Sequence, residues 1–270
     1  MARRRKERVR ITRVDDPATA AASRSTFDEL IVEEPMTIQL DGTRVATTMR
    51  TPGHDFELAA GFCFTEGLLG GARVTGVRYC ADGSAVDTEF NVVTVETGGR
   101  APAPTPRLGP VASSCGWCGS EQLDDLCARL EPLPTGEPVA YDVLASVSTA
   151  DSSRLFAATG AVHSAAAFDH TGTLRVVRED VGRHNAVDKV VGSMVLGLSG
   201  ALPATGLGLF VSGRASIEMV QKAWAAGFST LLAVSAPTAL AVEAARRAGL
   251  VLVGFVRDDG FNVYSPARPS

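Results

Sequence analysis

Cys115 and Cys118 stand three residues apart in SSCGWCGSEQLDDL, residues 113 to 126, on a glycine-flanked stretch just ahead of an amphipathic helix pattern. Two thiols at that spacing close a disulfide, supply half of a metal site, or form a reactive pair. A thiol at a helix N-terminus can have its pKa drawn down from about 8.5 to roughly 3.5 to 7.5, which supplies thiolate at neutral pH. Glu121, Asp124 and Asp125 act in the opposite sense, so the sequence leaves the net shift open. A structural zinc site needs four ligands, commonly a second CxxC or a pair of histidines, and neither occurs. A zinc deaminase needs H-x-E followed by P-C-x-x-C, whereas the histidine contexts are HDF, HSA, HTG and HNA and Ser114 precedes Cys115. No metal site is expected. Cys63, Cys80 and Cys127 sit among apolar residues and read as core.

A second group of residues has the chemistry to hold an anion. REDVGRHNAVDK, residues 178 to 189, packs Arg178, Glu179, Asp180, Arg183, His184, Asn185, Asp188 and Lys189 into one helix start after a strand. This is either a solvated, well-capped helix end or a polar pocket wall that uses the helix N-terminus for an anion. VSGRAS, residues 211 to 216, sets Ser212, Gly213 and Arg214 directly after an apolar strand, and VSAPTAL, residues 234 to 240, repeats the pattern. In open α/β sheets ligands bind beyond the carboxyl ends of strands, so these loops with GRHN would form a phosphate-accepting rim. No P-loop and no GxGxxG accompanies them. In VGFVRDDGFNVYS, Phe255, Arg257, Phe261 and Asn262 either belong to an edge hairpin around Asp259-Gly260 or stack on and hydrogen-bond a heterocycle. His54 reads as a helix cap, and His163 and His170 receive no role.

The elements that must carry these residues follow from periodicity. Two extended runs around Asp41-Gly42 predict a hairpin, and TPGHDFELAAGFCF predicts a helix with Thr51 and Pro52 at its start. VTGVRYC and FNVVTVET add strands. Residues 98 to 112 hold four prolines and three glycines and read as a linker. Leu123, Leu126, Cys127 and Leu130 then make one apolar helix face, with Ser120 as the N-cap. The C-terminal third alternates apolar strands with helices, which predicts parallel strands covered by helices on both faces. The division expected is a disordered basic tail at 1–26, a small α+β domain at 27–97, a linker and CxxC loop at 98–119, and an α/β domain at 120–270.

Composition narrows the classes. With 45% hydrophobic and 21% charged residues over 270 positions the chain is globular. Its net charge of -4 argues against nucleic-acid binding. MARRRKERVR is not followed by an apolar run, so neither a signal peptide nor a twin-arginine signal is expected, and no window is long and apolar enough for a membrane span. A cytoplasmic address is expected, where five unevenly spaced cysteines read poorly as a disulfide framework and the close pair reads as functional.

Taken in order, EEPMTIQLDG, TMRTPGHDFELAAGF, SSCGWCG, ATGAVHSAAAFD, REDVGRHNAVDKVVG, VSGRAS, VQKAWAAG, VSAPTALAVE and VGFVRDDGFNVY resemble the formate dehydrogenase accessory sulfurtransferase family, FdhD, from about residue 28 to 265. The resemblance implies a sulfur carrier. A cysteine desulfurase would load Cys115, assisted by Cys118, and the persulfide sulfur would pass to the molybdenum (or tungsten) bis(molybdopterin guanine dinucleotide) cofactor, the bound substrate, before its insertion into formate dehydrogenase. It also implies a homodimer, a C-terminal part like the cytidine-deaminase fold, and a cofactor-binding stretch over Phe255, Val256, Arg257, Asp258, Asp259 and Gly260. Arg183, His184, Ser212 and Arg214 would face the guanine nucleotide or its phosphates, and a free guanine nucleotide would mimic that ligand. The alternative is a non-catalytic cofactor chaperone. Ala161 and Ser164 depart from the family pattern, which expects glycine and alanine there.

Overall fold

Runs of β-branched residues broken by Gly, Pro and Asp turns predict short strands, and a computed structural model shows which of them pair. It describes residues 4–16, 23–80, 84–103, 119–134, 139–150, 153–257 and 260–266. Lys6–Val14 (β1) and Ser23–Ile31 (β2) form an antiparallel ribbon with Lys6 opposite Ile31 and Val14 opposite Ser23. The expectation of a disordered tail is thereby corrected for Lys6–Val14 and from Ser23 onward. Val9, Ile11 and Thr12 favour extended backbone, and the Lys6–Glu29 ion pair joins the two strands.

Glu34–Leu40 (β3) and Thr43–Arg50 (β4) form the expected hairpin. Asp41 and Gly42 both take positive φ, 46° and 85°, the geometry of a two-residue turn whose twist matches the strands. Asp55–Thr65 (α1), Gly76–Tyr79 (β5) and Val92–Glu96 (β6) complete a sheet ordered β4-β3-β6-β5, in which β3 and β6 are parallel. Met36, Ile38 and Leu40 alternate onto its inner face against Leu58, Ala59 and Phe62 of α1. The helix N-cap is His54, which takes a left-handed conformation and makes no side-chain cap.

Gly119–Arg129 (α2), Tyr141–Ala150 (α3) and Arg154–Thr159 (α4) precede the larger sheet. That sheet is built from His163–Phe168 (β7), Leu174–Asp180 (β8), Gly208–Val211 (β9), Thr230–Ala233 (β10), Val251–Arg257 (β11) and Gly260–Ser265 (β12). Its helices are Arg183–Val195 (α5), Ile217–Ala226 (α6) and Ala239–Ala248 (α7). The order is β12-β11-β10-β9-β7-β8. Only β9, β10 and β11 pair in parallel, so the expectation of a parallel sheet is corrected at both edges. A helical crossover returns a strand parallel, whereas a tight turn returns it antiparallel. β7 and β8 join through the Asp169–Thr173 turn, and β7 lies between β8 and β9, antiparallel to both. The fold is mixed α/β in three layers. Ala165, Ala167, Leu209, Val211, Leu231 and Ala233 face α2, α5, α6 and α7, while Ala166, Phe168, Phe210 and Leu232 face α3.

The two sheets are coupled where α1 crosses α5. A Cβ on Gly61 would lie 1.9 Å from the Asp188 carbonyl oxygen, and one on Gly192 would lie 1.7 Å from that of Glu57. The backbones therefore touch. Beside the crossing, Lys222 of α6 pairs with Asp188 at 2.9 Å and Glu66 at 3.1 Å, and Thr65 donates to Asp188 at 2.8 Å. Burial pushes Asp188 up to about 6 even against the pull of Lys222.

Glu57 ties the same crossing to β8. Burial pushes its carboxyl up, but hydrogen bonds from Arg178, at 2.9 Å to Oε1, and from His54 outweigh that and hold it at about 2, below its ordinary 4.5. A carboxylate depressed on folding stabilises above its unfolded value and loses that contribution as pH falls toward the folded one. Glu57→Gln is therefore expected to cost about 2 kcal/mol at pH 7 and much less at pH 2.5, read from urea midpoints at the two pH values.

Candidate functional site

Cys115 and Cys118 lie outside the described residues, as do Asp258 and Asp259. The helix after the cysteine pair is described: α2 begins at Gly119, so Ser120 falls inside the helix and the expected N-cap is corrected. Leu123 and Leu126 pack into the core, and Asp124 pairs with Arg247 of α7 at 2.8 Å. Cys63 and Cys80 are buried and Cys127 half-buried. Burial pushes the Cys63 thiol up to about 12, which leaves it protonated and inert at neutral pH.

The residues expected to hold an anion come together at the carboxyl ends of β9, β10 and β11. The loops after β9 and β10 run side by side: Ser235 N–H donates to Gly213 O at 3.4 Å, Ala215 N–H to Ala236 O at 3.2 Å, and Thr238 N–H to Ala215 O at 3.0 Å. Phe255 N–H reaches Ser235 O at 3.3 Å, which attaches β11 to the same rim. Because β7 runs against β9, its first residue, His163, arrives at this end of the sheet. A Cβ on Gly213 would lie 3.5 Å from both Arg183 Cδ and His163 Nδ1. An added methyl would meet both at ordinary contact distance, so the two side chains lie close over the loop without glycine being required there.

Arg183 and His184 open α5, and Ser216 opens α6. The α5 N-cap is Gly182, which has no side chain to offer, and Ser216 caps α6 in position only, with no side-chain hydrogen bond. By contrast, Thr238 caps α7 by accepting from Ala241 N–H. Two helix starts thus present uncapped N–H groups at one rim, the arrangement that favours anions. Arg183 Nε, His184 Nε2 and Ser216 Oγ are buried with no partner among the described residues. Burial, with Lys222 and Arg183 nearby, pulls His184 down to about 4, and burial and Arg183 also lower His163. His184 is therefore neutral at pH 7 and available as a hydrogen-bonding ring, while Arg183 and the exposed Arg214 supply the charge.

Ser212 is committed differently from expectation. Its N–H donates to Ser164 O and its Oγ accepts from Ser164 N–H, each at 3.0 Å, so it clips the β9 loop to β7. At the other end of the rim, Phe255 holds φ +55° at an irregularity in the β11–β12 pairing between Gly254 and Arg257. A bulky side chain in that region is strained by roughly 1–2 kcal/mol. The consequence is directional: the Phe255 ring is 39% exposed and Arg257 is exposed, while Val256 between them is 1% exposed in the core against α3. The expectation of Val256 as a ligand contact is corrected for its side chain, which anchors the strand. Gly260 starts β12.

Beneath the rim lies a buried network that the sequence pattern did not separate from it. Asp180 accepts from Gly182 N–H at 2.9 Å, Asn185 Nδ2 at 3.0 Å and Thr51 N–H at 3.2 Å, and pairs with Lys189 at 2.6 Å. Asn185 Nδ2 also donates to Met49 O at 2.7 Å. Of the polar residues in REDVGRHNAVDK, then, Arg183 and His184 face the rim and Asp180, Asn185, Asp188 and Lys189 hold α5 in place. His163 is the rim residue missed from sequence, and Ser216, although inside VSGRAS, was not singled out there. No local signal marks His163, which is brought to the rim by strand order.

The model of the FdhD/NarQ family matches residues 31–269. The chain is similar to the sulfur carrier protein FdhD of Anaeromyxobacter dehalogenans, with 42% identity over 94% of this chain and 95% of that protein. It is likewise similar to the sulfur carrier protein FdhD of Streptomyces avermitilis, with 44% identity over 96% and 93%. A crystal structure of a proposed formate dehydrogenase accessory protein from Desulfotalea psychrophila shares the fold, with a TM-score of 0.74 and 24% identity over 97% of this chain and 98% of that one.

Proposed function

The chain belongs to the FdhD/NarQ family, and we propose that it is a sulfur carrier acting through a cysteine persulfide. The observation that carries this reading is its 42% and 44% identity, over nearly the whole length, to proteins named sulfur carriers. The reactive pair is Cys115 and Cys118. The Cys115 thiolate attacks the outer sulfur of a persulfide on a cysteine desulfurase, a new S–S bond forms at Cys115, the donor S–S bond breaks, and the donor leaves as thiolate. The Cys118 thiolate then attacks the inner sulfur at Cys115, closing a Cys115–Cys118 disulfide that a cellular thiol later reduces, and the outer sulfur leaves as hydrosulfide to the substrate, the molybdenum (or tungsten) bis(molybdopterin guanine dinucleotide) cofactor, before formate dehydrogenase receives it. The protein works in the cytoplasm as a homodimer.

The rim supports the substrate half of this reading. Arg183, Arg214 and the uncapped starts of α5 and α6 suit the phosphates, and the outward Phe255 ring with Arg257 and Gly260 suits the guanine. Intact-protein mass spectrometry after incubation with a cysteine desulfurase and cysteine tests the carrier role. The wild type is expected to gain reducible sulfur mass and Cys115→Ala to gain none. No gain in either protein, with the desulfurase active, would leave a cofactor chaperone as the better reading.

Guanosine diphosphate binding tests the rim. Arg214→Ala is expected to weaken it roughly ten- to a hundred-fold by removing a charge-assisted contact. Phe255→Gly is expected to weaken it while leaving the folded state as stable or more so, because glycine tolerates positive φ. Unchanged affinity in both variants, measured by calorimetry, would place the nucleotide elsewhere.

A further inference from the structure

The β1–β2 ribbon stands outside the function described so far. The family match starts at residue 31, where the ribbon ends. Its base is fixed to the body by Arg5, which pairs with Glu179 at 3.2 Å and whose carbonyl accepts from Val32 N–H. Beyond that base, Val14, Phe27 and Leu30 are 54%, 49% and 43% exposed. A two-stranded ribbon is marginal by itself; α4 packs against part of β2, and among the described residues β1 is the only strand paired with β2.

The two free edges differ in charge pattern. β1 carries Lys6, Arg8, Arg10 and Arg13 against one carboxylate, Glu7. Paired antiparallel with itself it would set cation against cation, the usual protection of an exposed edge. β2, SRSTFDELI, has Arg24 near its start and Asp28 and Glu29 near its end. We propose that β2 pairs antiparallel with β2 of a second copy, with Thr26 opposite Thr26, to make a four-stranded sheet across a two-fold axis. In that register Arg24 of each copy lies opposite Asp28 of the other. The two Phe27 rings fall on the same face as diagonal neighbours, within reach of aromatic side chains. The present partners of these charges, Asp15 for Arg24 and Lys6 for Glu29, are exposed pairs of the kind that exchange at little cost.

This inference rests on the two-copy reading above and names the surface that joins the copies. The test is sedimentation of the full-length wild type, Arg24→Glu, Asp28→Lys, and an equimolar mixture of the two variants. Each variant sets like charges opposite across the axis, and its dimer is expected to weaken roughly ten- to thirty-fold. The mixture restores both opposite-charge pairs and is expected to recover the wild-type affinity. Thr26→Cys is expected to crosslink two copies under mild oxidation, well above the wild-type background. A monomeric wild type would overturn the two-copy reading along with this surface. A wild-type dimer that both variants leave intact, or variants that stay monomeric when mixed, would overturn the surface alone. Persulfide loading at Cys115, measured on the same samples, separates either failure from that of the carrier role.

Discussion

Gly192→Ala is expected to destabilise the protein by about 3 kcal/mol or more, or to prevent folding. The Cβ would be placed 1.7 Å from the Glu57 carbonyl oxygen and 2.5 Å from its carbon. Those atoms belong to the backbone of α1 and cannot swing aside as a side chain would. Helix propensity alone predicts the opposite sign, a gain of roughly 1 kcal/mol for alanine over glycine inside a helix. The sign of the change in urea midpoint therefore decides whether the close approach of α1 and α5 governs this position. If the variant folds, α5 must shift, and Arg183 and His184 at its first turn shift with it. Guanosine diphosphate affinity should then fall together with stability, although residue 192 is far along the helix from the rim.

Lys189→Met is expected to cost about 3–5 kcal/mol, because it leaves Asp180 as an uncompensated charge in a site with no exposure. Both side chains of the pair are fully buried, and Lys189 Nζ also donates to Thr51 O at 2.9 Å and Glu179 O at 3.3 Å. One cation thus satisfies acceptors from the small unit and from the last two residues of β8. Burial pulls Lys189 below the ordinary amine value against the attraction of Asp180. Adding Asp180→Asn removes the stranded charge and should recover part of the loss. Denaturant titration of the single and double variants reads the coupling, and strict additivity would show that the two residues act separately. Persulfide loading of Cys115 should survive wherever the fold survives, since this network serves the rim.

Much of this was visible in residue order. The Asp41-Gly42 hairpin, α1 and the helices after β8, β9 and β10 follow from alternation with period 2 or 3.6 and from local turn chemistry, which act between residues near in sequence. β7 was not visible as an inserted antiparallel strand. Its core, Ser164-Ala165-Ala166-Ala167, has little β propensity and extends because its neighbours β8 and β9 pair with it. The ribbon was misread as disordered because its charges dominated the composition, while their cross-strand partners, such as Glu29 for Lys6, are remote in sequence.

The candidate site divides along the same line. The sequence by itself determined that Cys115 and Cys118 form a close pair ahead of a helix, and that glycine, serine and arginine follow the apolar strands at which ligands gather. Tertiary structure alone decided which polar residues of 178–189 face the rim and which are buried, that His163 meets Arg183 and Gly213, and that Phe255 turns outward while Val256 turns in. The physical reason is range. Spacing along a chain encodes the face of an element, whereas burial of a charge, and the partner that makes burial tolerable, depend on which elements pack together.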